Sequence, residues 1–112
     1  MPNIYNFSVS EFTFTEATTD AVYAGNMISG GTMTIFADNG YTVSASDFSA
    51  NNPLPGQFSS VTFTNSGTAG TVGNTVIVTF VFSTLFEMSP GLNSINLPIS
   101  GHGRPITEKK NN

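Results

Sequence analysis

The chain has 112 residues, of which 9% are charged, and a net charge of −4 at pH 7. This length fits one domain, and the scarcity of charged residues excludes a coiled coil or a charged disordered chain. Three basic residues provide no clustered positive charge, so neither nucleic acid nor a membrane is an expected partner. The absence of cysteine excludes disulfides and thiolate catalysis.

The first predicted strand changes phase near Ser10-Glu11. Tyr5, Phe7 and Val9 share one face of this strand. Phe12 and Phe14 have the opposite parity, so the alternation shifts by one residue between the two groups. Either a β-bulge or one strand crossing between two sheets would explain the shift.

Turn residues divide the next part of the chain. Residues 21–28 predict a weak strand that Gly30-Gly31 closes. A second strand follows at 32–37, with Met33, Ile35 and Ala37 on one face and Phe36 outward. Asp38-Asn39-Gly40 then predicts a hairpin turn into a strand over 41–45, because Asn-Gly accepts the positive φ angles of such turns.

Two loops enclose a short strand in the middle of the chain. The segment 49–56 contains two prolines and predicts a connecting loop. Strand pairing resumes at Gln57 or beyond, with Val61 and Phe63 inward. The Gly-rich segment 65–74 predicts a long exposed loop.

The segment 75–86 predicts a central strand. Val76, Val78, Phe80 and Phe82 occupy one face of this strand. Ile77 and Val81 occupy the other, which indicates a second face that is at least partly covered.

Residues 94–100 predict the last strand, with Ile95, Leu97 and Ile99 inward and Pro98 outward at an edge. The domain is therefore expected to span residues 1–100, followed by a polar tail or linker at 101–112. About seven short strands with turns between them predict an all-β, two-sheet antiparallel β-sandwich of immunoglobulin-like type.

Residues with catalytic chemistry are sparse and scattered. His102 is the single histidine, so a transition-metal site or a hydrolase triad has no second ligand or base. The carboxylates lack the spacing of a calcium loop, although a calcium ion held between turns is left open. We expect no catalytic residues, no metal and no cofactor, and hence no enzyme.

Two runs, Gly30–Ser49 and Ser59–Phe82, together with the SINLPISG segment, resemble immunoglobulin-like domains of virion structural proteins in tailed phages, particularly marine and cyanobacterial ones. Gly40-Tyr41, Ala45-Ser46-Asp47-Phe48 and Val61-Thr62-Phe63-Thr64 carry much of this similarity. The resemblance implies a capsid-decorating or tail-associated protein whose partners are other virion proteins. The alternatives are a carbohydrate-binding or adhesion module and a fragment of a bacterial surface protein.

Apolar residues on the outside of the predicted strands are the candidate interface. Phe36, Ile77 and Val81 are more apolar than an outward face requires. Pro105 and Ile106 are the apolar anchors of the predicted tail. The alternative explanation is that the 49–56 loop, with Leu54, folds over the outward residues.

The expected location is the virion, after synthesis in the cytoplasm of a bacterial host. The N-terminal segment has neither the basic start nor the apolar run of a secretory signal. A homo-oligomer and a host-surface glycan are further partners left open.

Overall fold

The structure, a computed structural model, describes residues 5–17, 27–87 and 96–106. Within these ranges the chain forms nine strands and one short 3₁₀ helix, at Ala45–Asp47. The strands are β1 (Phe7–Val9), β2 (Thr13–Glu16), β3 (Met27–Ala37), β4 (Tyr41–Thr42), β5 (Phe48–Ala50), β6 (Phe58–Asn65), β7 (Thr75–Glu87), β8 (Ile99–Gly101) and β9 (Arg104–Pro105).

The strands form two layers. One layer, the main sheet, has the order β1-β3-β7-β6, and β2 pairs with β3 beyond the end of β1. The second layer consists of the ladders β4-β9 and β5-β8. All pairings are antiparallel, so the predicted all-β sandwich is confirmed.

The shift in alternation near Ser10 is a bulge within one sheet. Val9 pairs with Ile35 and Thr13 pairs with Thr32, so four residues on the edge strand span three on β3. Because β1 and β2 pair with the same strand, the alternative of a crossing between sheets is wrong. The extra residue lets Phe12 pack against the core although its parity is opposite to that of the β1 side chains.

The prediction that Gly30-Gly31 closes a strand is wrong, because both glycines lie inside β3. A Cβ on Gly30 would lie 2.1 Å from the backbone oxygen of Phe80, and one on Gly31 would lie 2.5 Å from that of Thr13. These glycines therefore allow close approach between neighbouring strands rather than a turn. Residues 21–26 of the predicted weak strand lie outside the described residues.

The turn at Asp38-Asn39-Gly40 is present, but the predicted hairpin is wrong. Tyr41 N donates to Asp38 O at 2.9 Å, and Gly40 has a φ of 89°. Strand β4 nevertheless pairs with β9 in the other layer, because the chain leaves the main sheet at this turn. Such a turn redirects the chain as readily as it forms a hairpin.

The two predicted loops are shorter than expected. Ser49 and Ala50 belong to β5, which pairs with β8, so the connection to β6 runs from Asn51 to Gln57. The second loop is exposed over residues 66–73, but Asn74 at its end is buried. Val61 and Phe63 pack against the core as predicted.

Strand β7 is central, between β3 and β6, as its sequence predicts. Its inward side chains are almost completely buried. They contribute to two adjoining clusters, one of Met33, Ile35, Val43, Phe48, Val76 and Val78 and the other of Ile28, Phe58, Phe80 and Phe82.

The C-terminal part departs most from expectation. Pro98 is buried rather than outward, and its carbonyl accepts the Asn51 amide at 2.7 Å. Gly101 lies in β8 and Arg104 in β9, so residues 101–106, expected in the tail, belong to the second layer. The Asp47 carboxylate pairs with Arg104 and helps to hold β9 there. Residues 94, 95 and 107–112 lie outside the described residues.

Candidate functional site

The candidate site is the outer face of the main sheet, defined as the side that points away from the second layer. Alternation places the core residues of β3 and β7 inward, and the residues between them outward. The strand registers align these outward residues in rows across the sheet. The rows are Ser8-Phe36-Thr75, Thr34-Ile77-Thr64, Thr13-Thr32-Thr79-Thr62 and Thr15-Gly30-Val81-Ser60.

This face is rich in threonine and carries no charge in those rows. Threonine is favoured here because its branched side chain suits a pleated strand, and cross-strand threonine pairs stabilise a sheet. Each threonine side chain presents a methyl group and a hydroxyl, so the face combines apolar groups with hydrogen-bonding groups. It offers an even, neutral surface to a partner.

The apolar residues predicted to lie outward do lie on this face. Phe36 is 42% exposed and Val81 is 40% exposed, whereas Ile77 is half-buried. Phe36 pairs with Thr75, and therefore sits diagonally next to Ile77. Phe36 and Ile77 therefore form an apolar pair. Val81 is separated from this pair by the row of Thr79.

The loop that was expected as an alternative cover lies elsewhere. Leu54 packs against the cluster around Phe58 and Phe80, on the inner side of the main sheet. Among residues 5–17, 27–87 and 96–106, none covers Phe36 or Val81 completely, and both side chains remain exposed to solvent.

Pro105 and Ile106 do not join the outer face. Pro105 lies in β9, opposite Tyr41 of β4 in the second layer, and the next residue, Ile106, donates its amide to Gly40 O at 3.0 Å. Pro105 is exposed, and Ile106 is half-buried. Ile106 and Phe36 nevertheless line the same open concavity of about 330 Å³, at the end of the sandwich where β3 turns into β4.

Another concavity, of about 250 Å³, lies beside β1 and β8. Tyr5, Phe7, Phe48 and Ile99 line most of its wall. Tyr5 is 54% exposed, and its ring lies 6.3 Å from that of Phe7. This is an apolar recess with one amphipathic ring at its rim.

A buried amide cluster was missed by sequence analysis, which assigned Asn74 to an exposed loop. Asn74 Nδ2 donates to Val43 O at 2.7 Å and to Asn65 Oδ1 at 3.0 Å, while Asn74 Oδ1 accepts the Gly67 amide at 2.8 Å. Asn65 Oδ1 also accepts the Ala45 amide at 2.8 Å. The cluster ties the 66–73 loop to both layers, which gives it a structural role.

The ionisable residues are dispersed. In the described part of the chain, no three His, Asp or Glu side chains are grouped so that they could hold a metal ion. His102 is exposed, as predicted. No helix among these residues has the length and apolar character needed to cross a membrane.

Comparisons of the chain with family models, with curated proteins and with solved structures give no match. The resemblance to phage immunoglobulin-like domains therefore stays a prediction.

Proposed function

We propose that this protein is a non-enzymatic structural protein of a virion, a capsid decoration or a tail accessory, that acts through protein–protein contacts. The outer face of the main sheet is the contact surface. The observation that carries the proposal is the position of Phe36, Ile77 and Val81 on an uncharged face that the described residues leave open. The resemblance of two segments to phage virion domains supports the proposal that the protein belongs to a virion.

The face has the properties of a surface that binds another protein. Complete burial of a Phe or Val side chain contributes roughly 1.5–3 kcal/mol, so covering what remains exposed of Phe36 and Val81 contributes about 1 kcal/mol each. The threonine methyl groups add further apolar area. Because the rows carry no charge, we expect binding that depends little on salt.

The test is co-sedimentation of variants with virus particles that lack this protein. Val81→Glu and Ile77→Glu place a carboxylate on the outer face, where burying it without a partner costs several kcal/mol. We expect both variants to remain folded and to lose binding. The matched control is Val9→Glu, because Val9 is 50% exposed but lies opposite Ile35 on the inner side of the sheet edge.

Loss of binding in Val81→Glu but not in Val9→Glu supports the outer face. Equal binding by all three folded variants contradicts it. Folding of each variant is checked by its circular dichroism spectrum and its urea transition, so that loss of structure is not mistaken for loss of contact.

A second candidate is the recognition of a glycan, and Tyr5 is the observation in its favour. An exposed tyrosine at the rim of an apolar recess provides a ring on which a sugar can stack. A glycan array comparing the parent with Tyr5→Ala tests this candidate. Binding that the substitution abolishes supports it, and no binding by the parent contradicts it.

A further inference from the structure

Strand β6 forms one edge of the main sheet. Within the described ranges, β6 pairs with β7 on one side and with no strand on the other. Ser66 N donates to Thr75 O at 2.9 Å in line with the β6-β7 register, so hydrogen bonds to β7 are made by the even-numbered residues of β6. The N–H and C=O groups of Val61 and Phe63 consequently point out of the edge.

This edge lacks the usual protection. Sheet edges commonly carry charges, prolines or bulges that prevent pairing with another chain. The opposite edge has such features, because a bulge interrupts it and it carries Glu11 and Glu16. Strand β6 has one register shift, between Phe58 and Ser60, but from Ser60 to Asn65 it has no charge, no proline and an unbroken register.

We infer that two copies of this chain pair antiparallel through their β6 edges, about a two-fold axis at Thr62. Only backbone groups that point outward can form the new ladder, so odd-numbered residues must meet odd-numbered residues. Centring the pair on Thr62 sets Val61 opposite Phe63 of the second copy and the reverse, and places residues 60–64 of each copy in the ladder.

The side chains suit this register on both faces. Val61 and Phe63 are both half-buried on the inner face, and each covers the other across the axis. On the outer face, Thr62 meets Thr62 and Ser60 meets Thr64, with no charge brought together. The threonine row of the main sheet then continues through eight strands, so the contact adds an interface separate from the outer face itself.

Disulfide trapping tests the register, because the parent chain has no cysteine. Thr62 and its copy form a non-hydrogen-bonded pair, with Cα atoms about 4.5 Å apart, which is within the range that a disulfide spans. Two copies of Thr64 are offset by four residues, which is about 14 Å along the strand. We expect Thr62→Cys to form a covalent dimer under mild oxidation. The yield of covalent dimer from Thr64→Cys should be at least tenfold lower.

In an equimolar mixture of Ser60→Cys and Thr64→Cys, the two variants should form a disulfide-linked heterodimer, because the register places residue 60 of one copy opposite residue 64 of the other. Equal dimer yields from Thr62→Cys and Thr64→Cys would overturn the register and with it the inference.

Sedimentation equilibrium tests the association without cysteine. We expect the average mass of the parent to rise above 11.8 kDa toward twice that value with increasing concentration. Thr62→Lys should remain monomeric, since it sets like charges directly opposite each other at the axis. Thr13→Lys is the matched control, because Thr13 is exposed on the same row at the far edge and should dimerise like the parent. A parent that stays monomeric at every concentration overturns the inference and leaves the outer-face proposal standing.

Discussion

Replacing Phe80 by alanine is the sharpest test of the packing described above. Phe80 is 1% exposed and lies at the centre of the second core cluster. Its ring centroid lies 5.6–6.4 Å from the rings of four other phenylalanines, Phe12, Phe14, Phe58 and Phe82. Removing this ring therefore takes away contacts to β2 and the residue before it, to the start of β6 and along β7 at the same time.

Emptying a buried Phe site costs about 3–5 kcal/mol, from lost transfer free energy and from the cavity that remains. The four aromatic contacts of Phe80 place this substitution near the upper end, at about 4–5 kcal/mol. At roughly 0.05–0.15 kcal/mol per residue, a domain of this size has a free energy of unfolding of about 6–17 kcal/mol. The substitution therefore removes a large fraction of the total stability.

Urea unfolding followed by circular dichroism measures this cost. With a slope of about 1.5–2 kcal/mol/M, the midpoint should fall by about 2–3 M. Phe36→Ala is the matched control, because the same atoms are removed from an exposed outer position and the expected cost is about 1 kcal/mol or less. A cost below about 1 kcal/mol for Phe80→Ala, or equal costs for the two variants, would refute the assignment of the core.

Three further predictions concern the close approach of β3 and β7 at Gly30, the buried amide cluster around Asn74, and the C-terminal strand β9. Gly30→Ala should cost about 2–3 kcal/mol in the same unfolding assay, because its Cβ would collide with the Phe80 carbonyl; an unchanged midpoint would contradict this. Asn74→Ala should cost about 2–4 kcal/mol, since it removes three hydrogen bonds and leaves buried partners unpaired; a cost below 1 kcal/mol would show that the cluster is not structural. A chain ending at Ser100 should lose cooperative thermal unfolding, whereas one ending at Ile106 should melt like the parent; similar melting of both would argue against the role of β9.

The main sheet was largely predictable because its signals are local. In β7 the alternation of Val76, Val78 and Phe80 against Ile77 and Val81 sets both the strand and its two faces. The same alternation predicted the outward position of the candidate contact residues. The phase shift near Ser10 was also predictable, because it is visible in one strand without knowledge of its partner. Only the pairing of β1 and β2 with the same strand shows that it is a bulge and not a crossing between sheets.

The second layer was harder to predict because its partners are distant in sequence. Nothing near Tyr41 indicates that its strand pairs at Pro105 rather than with the preceding strand. Within the main sheet, the sequence also does not distinguish a Gly30 that makes a turn from one that admits a neighbouring carbonyl, because only the position of β7 separates the two cases. Pro98 was placed outward by parity, but it is buried in the second layer, where its carbonyl accepts the Asn51 amide.

The long separation between paired strands also sets the order in which the chain can fold. Strand β4 pairs with residues 104–105, and β5 pairs with residues 99–101, so each ladder joins segments about fifty or sixty positions apart. During synthesis, β5 cannot pair until residues 99–101 have left the ribosome, and β4 cannot pair until residues 104–105 have done so. Closing such long loops costs entropy before any contact compensates for it, and antiparallel sandwiches of this kind fold in roughly milliseconds to seconds. Until these ladders form, the newly made chain exposes the core cluster that includes Met33, Ile35, Val76 and Val78, and this interval is when it is most open to misassembly with other copies.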